Sequence, residues 1–218
     1  MPENDGVMSF DQLHKLNGGR VILSHEEWFQ TMEGLTEQEK RRRIEFAEDW
    51  EDILIAILIL IPVYDEHEME IDGLRERMLR ELRSLVETTD LTVNSDVVEY
   101  LEKYVSRFFE VTLRHLQDEY FLSRDRAIDN GNQETTTIFN LKDYQDAKDQ
   151  GMKYKTWHTQ LDDRVRDSHR YMEGVTILID DLFIVGESMS ELEFPRDWSH
   201  GADPNEIVNC RCYLTYSK

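Results

Sequence analysis

The chain has 218 residues, 39% of them apolar, 10% aromatic and 33% charged, with only 10 Gly and 4 Pro. That composition is globular and excludes disordered, collagen-like and low-complexity chains. The formal charge of −21 excludes coating nucleic acid by bulk electrostatics and an anionic membrane surface as partner, and favours solubility or docking onto a basic protein surface.

The charge is uneven. Residues 1–150 carry 17 basic and 34 acidic side chains, a balance of −17, and residues 151–218 carry 8 and 12, a balance of −4. This predicts two units, an acidic, mainly helical region over 1–150 and a compact unit over 151–218. The 68 residues of the second are few for an independent core, so it should pack on the long helices or on a partner. The two cysteines, Cys210 and Cys212, form no disulfide framework. The start Met1-Pro2-Glu3-Asn4-Asp5 lacks the basic and apolar pattern of a signal peptide.

Residues 1–23 read as a weakly patterned lead-in. Ser24 and Glu27 form a capping box for a short helix that Gly34 ends, and Thr36 with Glu39 repeats the box. The helix opened there carries Lys40, Arg41, Arg42 and Arg43 on a solvated face, then turns apolar until Pro62 stops it. The run Ile53–Ile61 is nine residues long, far short of the roughly 20 that span a membrane, so it reads as a buried helix end. Leu74, Met78, Leu82 and Leu85 mark a helix over 72–88. After a turn over 91–94, Asn94 or Ser95 caps a long helix reaching about Leu122, with a stripe of Val97, Leu101, Tyr104, Val105, Phe108, Thr112 and Leu116. Residues 123–150 continue as helix with a break at Asn130-Gly131-Asn132, and Gly151 ends them. No internal repeat is present.

Beyond Gly151 the texture changes. Residues 153–159 alternate as a strand, with Lys155, Trp157 and Thr159 on one face. Asp162 or Asp163 caps a short helix through His169 and Tyr171, and Gly174 turns the chain. Residues 175–185 are apolar apart from Asp180 and Asp181, residues 186–204 read as loop, and Cys210, Cys212, Leu214 and Tyr216 alternate as a final strand. The fold class is therefore α+β.

Three kinds of chemistry compete in the terminal unit. A zinc site would draw on His169, His200, Cys210 and Cys212, although one residue between the cysteines is fewer than common zinc knuckles use. A catalytic site would use His169 as general base with Arg164 or Arg166 steadying an anion, as in a toxin-like RNA-cleaving effector. A structural reading has Asp180, Asp197 and Asn209 holding loops, Arg164 and Arg211 each taking a carboxylate, and the cysteines as small core residues. No phosphate loop or nucleophile elbow accompanies them.

The run Lys155-Thr156-Trp157, then Leu161-Asp162-Asp163-Arg164-Val165-Arg166-Asp167-Ser168-His169, with Gly174, Asp180, Phe183, Pro195, Gly201-Ala202 and Asn205 through Asn209-Cys210-Arg211-Cys212, resembles the phage head morphogenesis family. This is the minor head protein family that includes the F protein of phage Mu. The resemblance covers about 132–218, with Glu134 and Asn140 matching an upstream helical portion loosely. It implies a non-enzymatic minor head (capsid) protein of a tailed phage or prophage, present in few copies. Such a protein acts near the portal vertex in head assembly and DNA packaging, in the virion head and in the host cytoplasm during assembly. The implied partners are the portal protein and scaffold or capsid protein, with no membrane and no required cofactor. Trp157, Asp162, Arg164, Ser168, His169, Gly174, Asp180, Phe183, Pro195, Asn209, Cys210, Arg211 and Cys212 are then a domain signature and not an active site. The acidic helical region departs from the basic surface expected of a DNA-contacting head protein, which disfavours direct nucleic-acid binding.

The apolar run predicts one outcome directly. Ile57→Asp places a charge in the helix core and should unfold the helical unit or abolish assembly, as read by circular dichroism and assembly assays. A folded, assembly-competent variant would contradict it.

Overall fold

The computed structural model describes residues 22–218; the lead-in over 1–21 lies outside the described residues. Both capping boxes form. Ser24 opens α1 (His25–Phe29) and Thr36 opens α2 (Glu37–Leu58), each accepting from the third helical N–H while Glu27 or Glu39 reaches back. α1 stops five residues before Gly34. Gly34 instead lies against Tyr213, to whose hydroxyl its N–H donates at 2.9 Å. A Cβ there would stand 2.3 Å from the Tyr213 ring, so only glycine fits.

α2 ends at Leu58, and Pro62 sits in the first turn of α3 (Ile61–Tyr64). Proline lacks the N–H that a continuing helix would need, and is tolerated where a helix begins. Leu54, Ile57, Leu58 and Ile61 of the apolar run are buried. The basic run divides. Arg41 and Arg42 face solvent, but Lys40 and Arg43 are buried. Arg43 Nη2 donates to Asp143 Oδ2 at 2.5 Å and its guanidinium lies 4.7 Å over the Phe139 ring, which corrects the expectation of a wholly solvated face.

α4 (Glu68–Glu87) buries Leu74, Met78, Leu82 and Leu85 as its periodicity requires. Asn94 caps α5 (Ser95–Arg114), accepting from two backbone N–H groups. α5 ends eight residues before Leu122, and a tight 3₁₀ turn (Glu119–Leu122) follows. The buried Arg126 side chain accounts for the stop. It donates to Thr112 Oγ1 at 2.7 Å and Phe121 O at 2.6 Å, and covers the Phe108 and Phe121 rings. Folding the chain over this guanidinium supplies acceptors that an unbroken helix would not offer.

α6 (Arg124–Asp149) runs without the break expected at 130–132. Gly131 is a close-packing position: a Cβ there would lie 2.8 Å from the Ala47 carbonyl of α2. Gly151, at φ +67°, closes the helix, with Met152 N–H bonded to Ala147 O.

The terminal unit has a three-stranded antiparallel sheet in the order β2–β1–β5, from β1 (Tyr154–His158), β2 (Thr176–Leu178) and β5 (Tyr213–Ser217), with Trp157 opposite Leu214. β3 (Phe183–Val185) and β4 (Ser190–Leu192) form a hairpin inside the stretch expected as loop. Two one-turn helices, α7 (Asp167–Arg170) and α8 (Pro204–Ile207), complete it. α7 begins later than a cap at Asp162 or Asp163 would place it. Leu161 adopts φ +54°, and the Asp162 carboxylate accepts from Arg164 N–H and from Arg211, so a turn forms there. The architecture is α+β.

Among the described residues three apolar clusters form, and α6 joins them. Ala127, Ile138 and Phe139 lie in the helical core with Trp50, Leu54 and Phe108. Tyr144 and Ala147 lie in the terminal core with Trp157, Phe183 and Leu214. Trp28, Phe29, Met32, Ala47 and Tyr213 make the third, beside α6. The small terminal unit thus packs on the last long helix. Among the described residues no helix is long and apolar enough to cross a membrane.

Gly131→Ala tests the crossing. Alanine favours helix by about 1 kcal/mol, but the clash with the Ala47 carbonyl should cost more, for a net loss of about 1–2 kcal/mol in urea unfolding. A more stable variant would contradict this packing.

Candidate functional site

α7 and the segment leading into β5 carry most of the sequence signature. His169 is buried at the end of α7, and Cys210 and Cys212 are buried beside it. The two Sγ atoms lie 3.5 and 3.4 Å from His169 Nδ1. The cysteines precede the strand expected to contain them. The Cys212 carbonyl accepts from Asn140 Nδ2 at 3.1 Å and the Arg211 carbonyl from Gln160 Nε2 at 2.7 Å, so side chains take the acceptors of this stretch. Asn209, at φ +59°, sets the turn before them.

The opposite edge of the imidazole faces α8. His169 Nε2 is 3.0 Å from Glu206 Oε2, though off the line of an N–H donor. Ser168 Oγ donates to the same carboxylate oxygen at 2.8 Å. Gly186, at φ +70°, leaves room for Glu206, since a Cβ there would stand 2.2 Å from Oε1. Trp157 packs edge-on against the imidazole with centroids 5.6 Å apart. Burial resists charge on every member. Even so, contact with Cys210 raises the His169 pKa, and bonds from Cys212 and His169 hold the Cys210 thiol below its ordinary value. Burial and the neighbouring Cys210 both push the Cys212 thiol up.

The other signature residues hold the frame. Arg211 Nη2 donates to both Asp162 oxygens at 2.6 Å. The Arg166 guanidinium donates to the carbonyls of Asn205 and Val208, tying α7 to α8 and not reaching for an anion. Arg164 stands exposed at the rim of a cavity of about 10 Å³ that His169 and both cysteines also line. Pro195 O accepts from Asn140, and Asn209 N–H donates to Gln133 of α6. Asp197 accepts from Glu193 N–H and Ser199 N–H, each at 2.8 Å, in the loop-holding role expected of it. Asp180 differs, being exposed and paired with Lys148 at 3.1 Å. Gly174, at φ +74°, turns the chain, and Phe183 sits in the core. His200 is not with the other candidate ligands; its Nδ1 is 3.0 Å from Asp197 Oδ2. His169 is buried, flanked by sulfur and carboxylate, and reaches the surface only at the cavity of about 10 Å³.

Sequence reasoning gives Glu206 only a place in the family run, and Glu134 and Asn140 only a loose family match, and misses the partners that the polar face of α6 engages. Arg196, buried at φ +70°, donates to Thr137 Oγ1 at 2.7 Å, Gln133 Oε1 at 3.2 Å and Ile207 O at 2.9 Å, and lies 3.5 Å from Glu134. Glu134 also accepts from the Tyr100 hydroxyl. The available signal was the spacing of Gln133, Thr137 and Asn140, at helical intervals, in a stretch with little amphipathic pattern.

Burial raises the Glu134 pKa to about 7, against which the Arg196 charge works only in part. A carboxyl with a raised folded pKa binds more protons folded than unfolded between the two values, so its contribution to stability falls as pH rises through that window. Between about pH 5 and about pH 8 the wild type should lose up to about 3 kcal/mol relative to Glu134→Gln, read from urea unfolding. Parallel pH profiles for the two proteins would contradict it.

A family model described as phage Mu protein F like protein matches residues 107–215. Neither a curated protein nor a solved structure matches the chain. The matched span takes in the end of α5, all of α6 and nearly all of the terminal unit, including the His169, Cys210 and Cys212 cluster. The family is one of phage head morphogenesis and is structural in character. The chain belongs to the phage Mu protein F like family.

Proposed function

We propose that this chain is a minor head protein that acts in head morphogenesis at the portal vertex by protein–protein docking. The observation that carries the reading is the family match over 107–215, which includes α6 and the sheet that packs on it. In this role the signature residues are architectural: they fix α7, α8 and the β5 lead-in against α6, and so present a rigid body to a partner.

Two surface features support docking. The formal charge of −21 suits a basic face on a portal, scaffold or capsid protein and repels packaged DNA. From the end of α2 through α3 to the first turn of α4, large apolar side chains are exposed, with Ile59 65%, Val63 60% and Met69 85% exposed. Exposed large apolar side chains close together in the chain can form the centre of a docking patch with a charged rim.

Size-exclusion chromatography with light scattering, on this chain mixed with the portal protein of the same phage, tests the proposal. A stoichiometric complex that weakens as salt is raised is the expected result. A folded protein that stays uncomplexed at all salt concentrations would overturn it.

A further inference from the structure

We propose that His169, Cys210 and Cys212 bind a structural zinc ion. Zinc bonds of about 2.3 Å to sulfur and about 2.1 Å to nitrogen, arranged tetrahedrally, place the nitrogen about 3.6 Å from each sulfur. His169 Nδ1 stands 3.5 and 3.4 Å from the two sulfurs, and the three ligand atoms all lie within 4.8 Å of one another. All three residues are buried. A divalent cation neutralises two thiolates, which removes the cost of burying that charge.

The surroundings match an outer shell. Metal-bound imidazoles commonly present their second ring nitrogen to a carboxylate. Here Glu206 Oε2 lies 3.0 Å from Nε2, which has no hydrogen-bond partner in good geometry. A zinc ligand bound through Nδ1 keeps its proton on Nε2, and a small shift of Glu206 would receive it. The Trp157 indole N–H is likewise buried without an acceptor and lies beside the Cys212 sulfur. The cavity of about 10 Å³ that Gln160, Val165 and Arg166 line with the three ligands adjoins the cluster and has room for one water as a fourth ligand. The ion would tie α7 to the β5 lead-in, in a unit whose sheets have only three and two strands.

The test uses the full chain purified under reducing conditions without a metal-affinity step. Elemental analysis should find about one zinc per chain. Cobalt(II) added to the metal-free protein should give the visible bands of a tetrahedral site with thiolate charge transfer. Cys210→Ser and Cys212→Ser should abolish the charge-transfer signature or reduce it sharply, while His200→Ala leaves it unchanged. Glu206→Gln should weaken metal affinity about 10- to 100-fold. A folded wild-type chain that takes up neither zinc nor cobalt would overturn the proposal. So would a cobalt spectrum lacking thiolate character, or native thiols that react equally fast with and without a chelator. The wild-type measurements decide the matter even where a cysteine variant fails to fold.

Discussion

The buried polar face of α6 is the constraint on which the rest of the structure depends. Asn132, Glu134, Thr136, Thr137 and Asn140 are all buried. Such groups are tolerable in a core only when they are hydrogen-bonded, and most of their partners come from the two ends of the described chain. Asn132 bonds His25 at 2.8 Å, and Thr136 accepts from the Trp28 indole at 2.9 Å. Thr137 and Glu134 engage Arg196, and Asn140 donates to the carbonyls of Pro195 and Cys212. α1 and the terminal loops are therefore located by polar complementarity to one helix, where apolar contact alone would permit sliding.

This explains the division between a highly charged exterior and a helix with little amphipathic character. On α4 and α5 the apolar stripe faces a single core and the opposite face is solvated. α6 meets α2 on one side, the terminal sheet on another and α1 near Gly131, so much of its circumference is covered. Close approach at Gly131 brings α2 near enough for Glu51 to reach both His25, at 2.9 Å, and Arg124, at 2.5 Å. The His169 cluster depends on the same frame. Gln133 holds Asn209 and Asn140 holds Cys212, so α6 positions both ends of the segment that carries the two cysteines.

Much of this was legible in the sequence, for identifiable reasons. Capping boxes at Ser24 and Thr36, the Leu74–Leu85 stripe and the alternation around Trp157 are local signals, and the local backbone obeys them. The concentration of His and Cys in the terminal unit marks His169 and the two cysteines by residue chemistry alone, and the family signature includes the same three. The features that differed are ones in which a distant partner overrides a local preference. Asn130-Gly131-Asn132 reads as a helix breaker, but the glycine serves a neighbouring backbone and Asn132 serves His25. Arg126 ends α5 from the next helix, and Arg43 leaves a basic run for Asp143 a hundred residues away. Glu206 lies in the family run, but nothing local assigns it a partner; only the fold sets it against His169.

Through α6 the helical region and the terminal sheet form one cooperative body. Native-state hydrogen exchange measures this most directly, because it assigns an opening free energy to each amide. Amides of α6, of β1 and β5, and of the buried turns of α2 should exchange through one common global opening. If β1 and β5 open at a distinctly lower free energy while α2 and α6 stay protected, the terminal unit is an independent module and α6 does not unite the two.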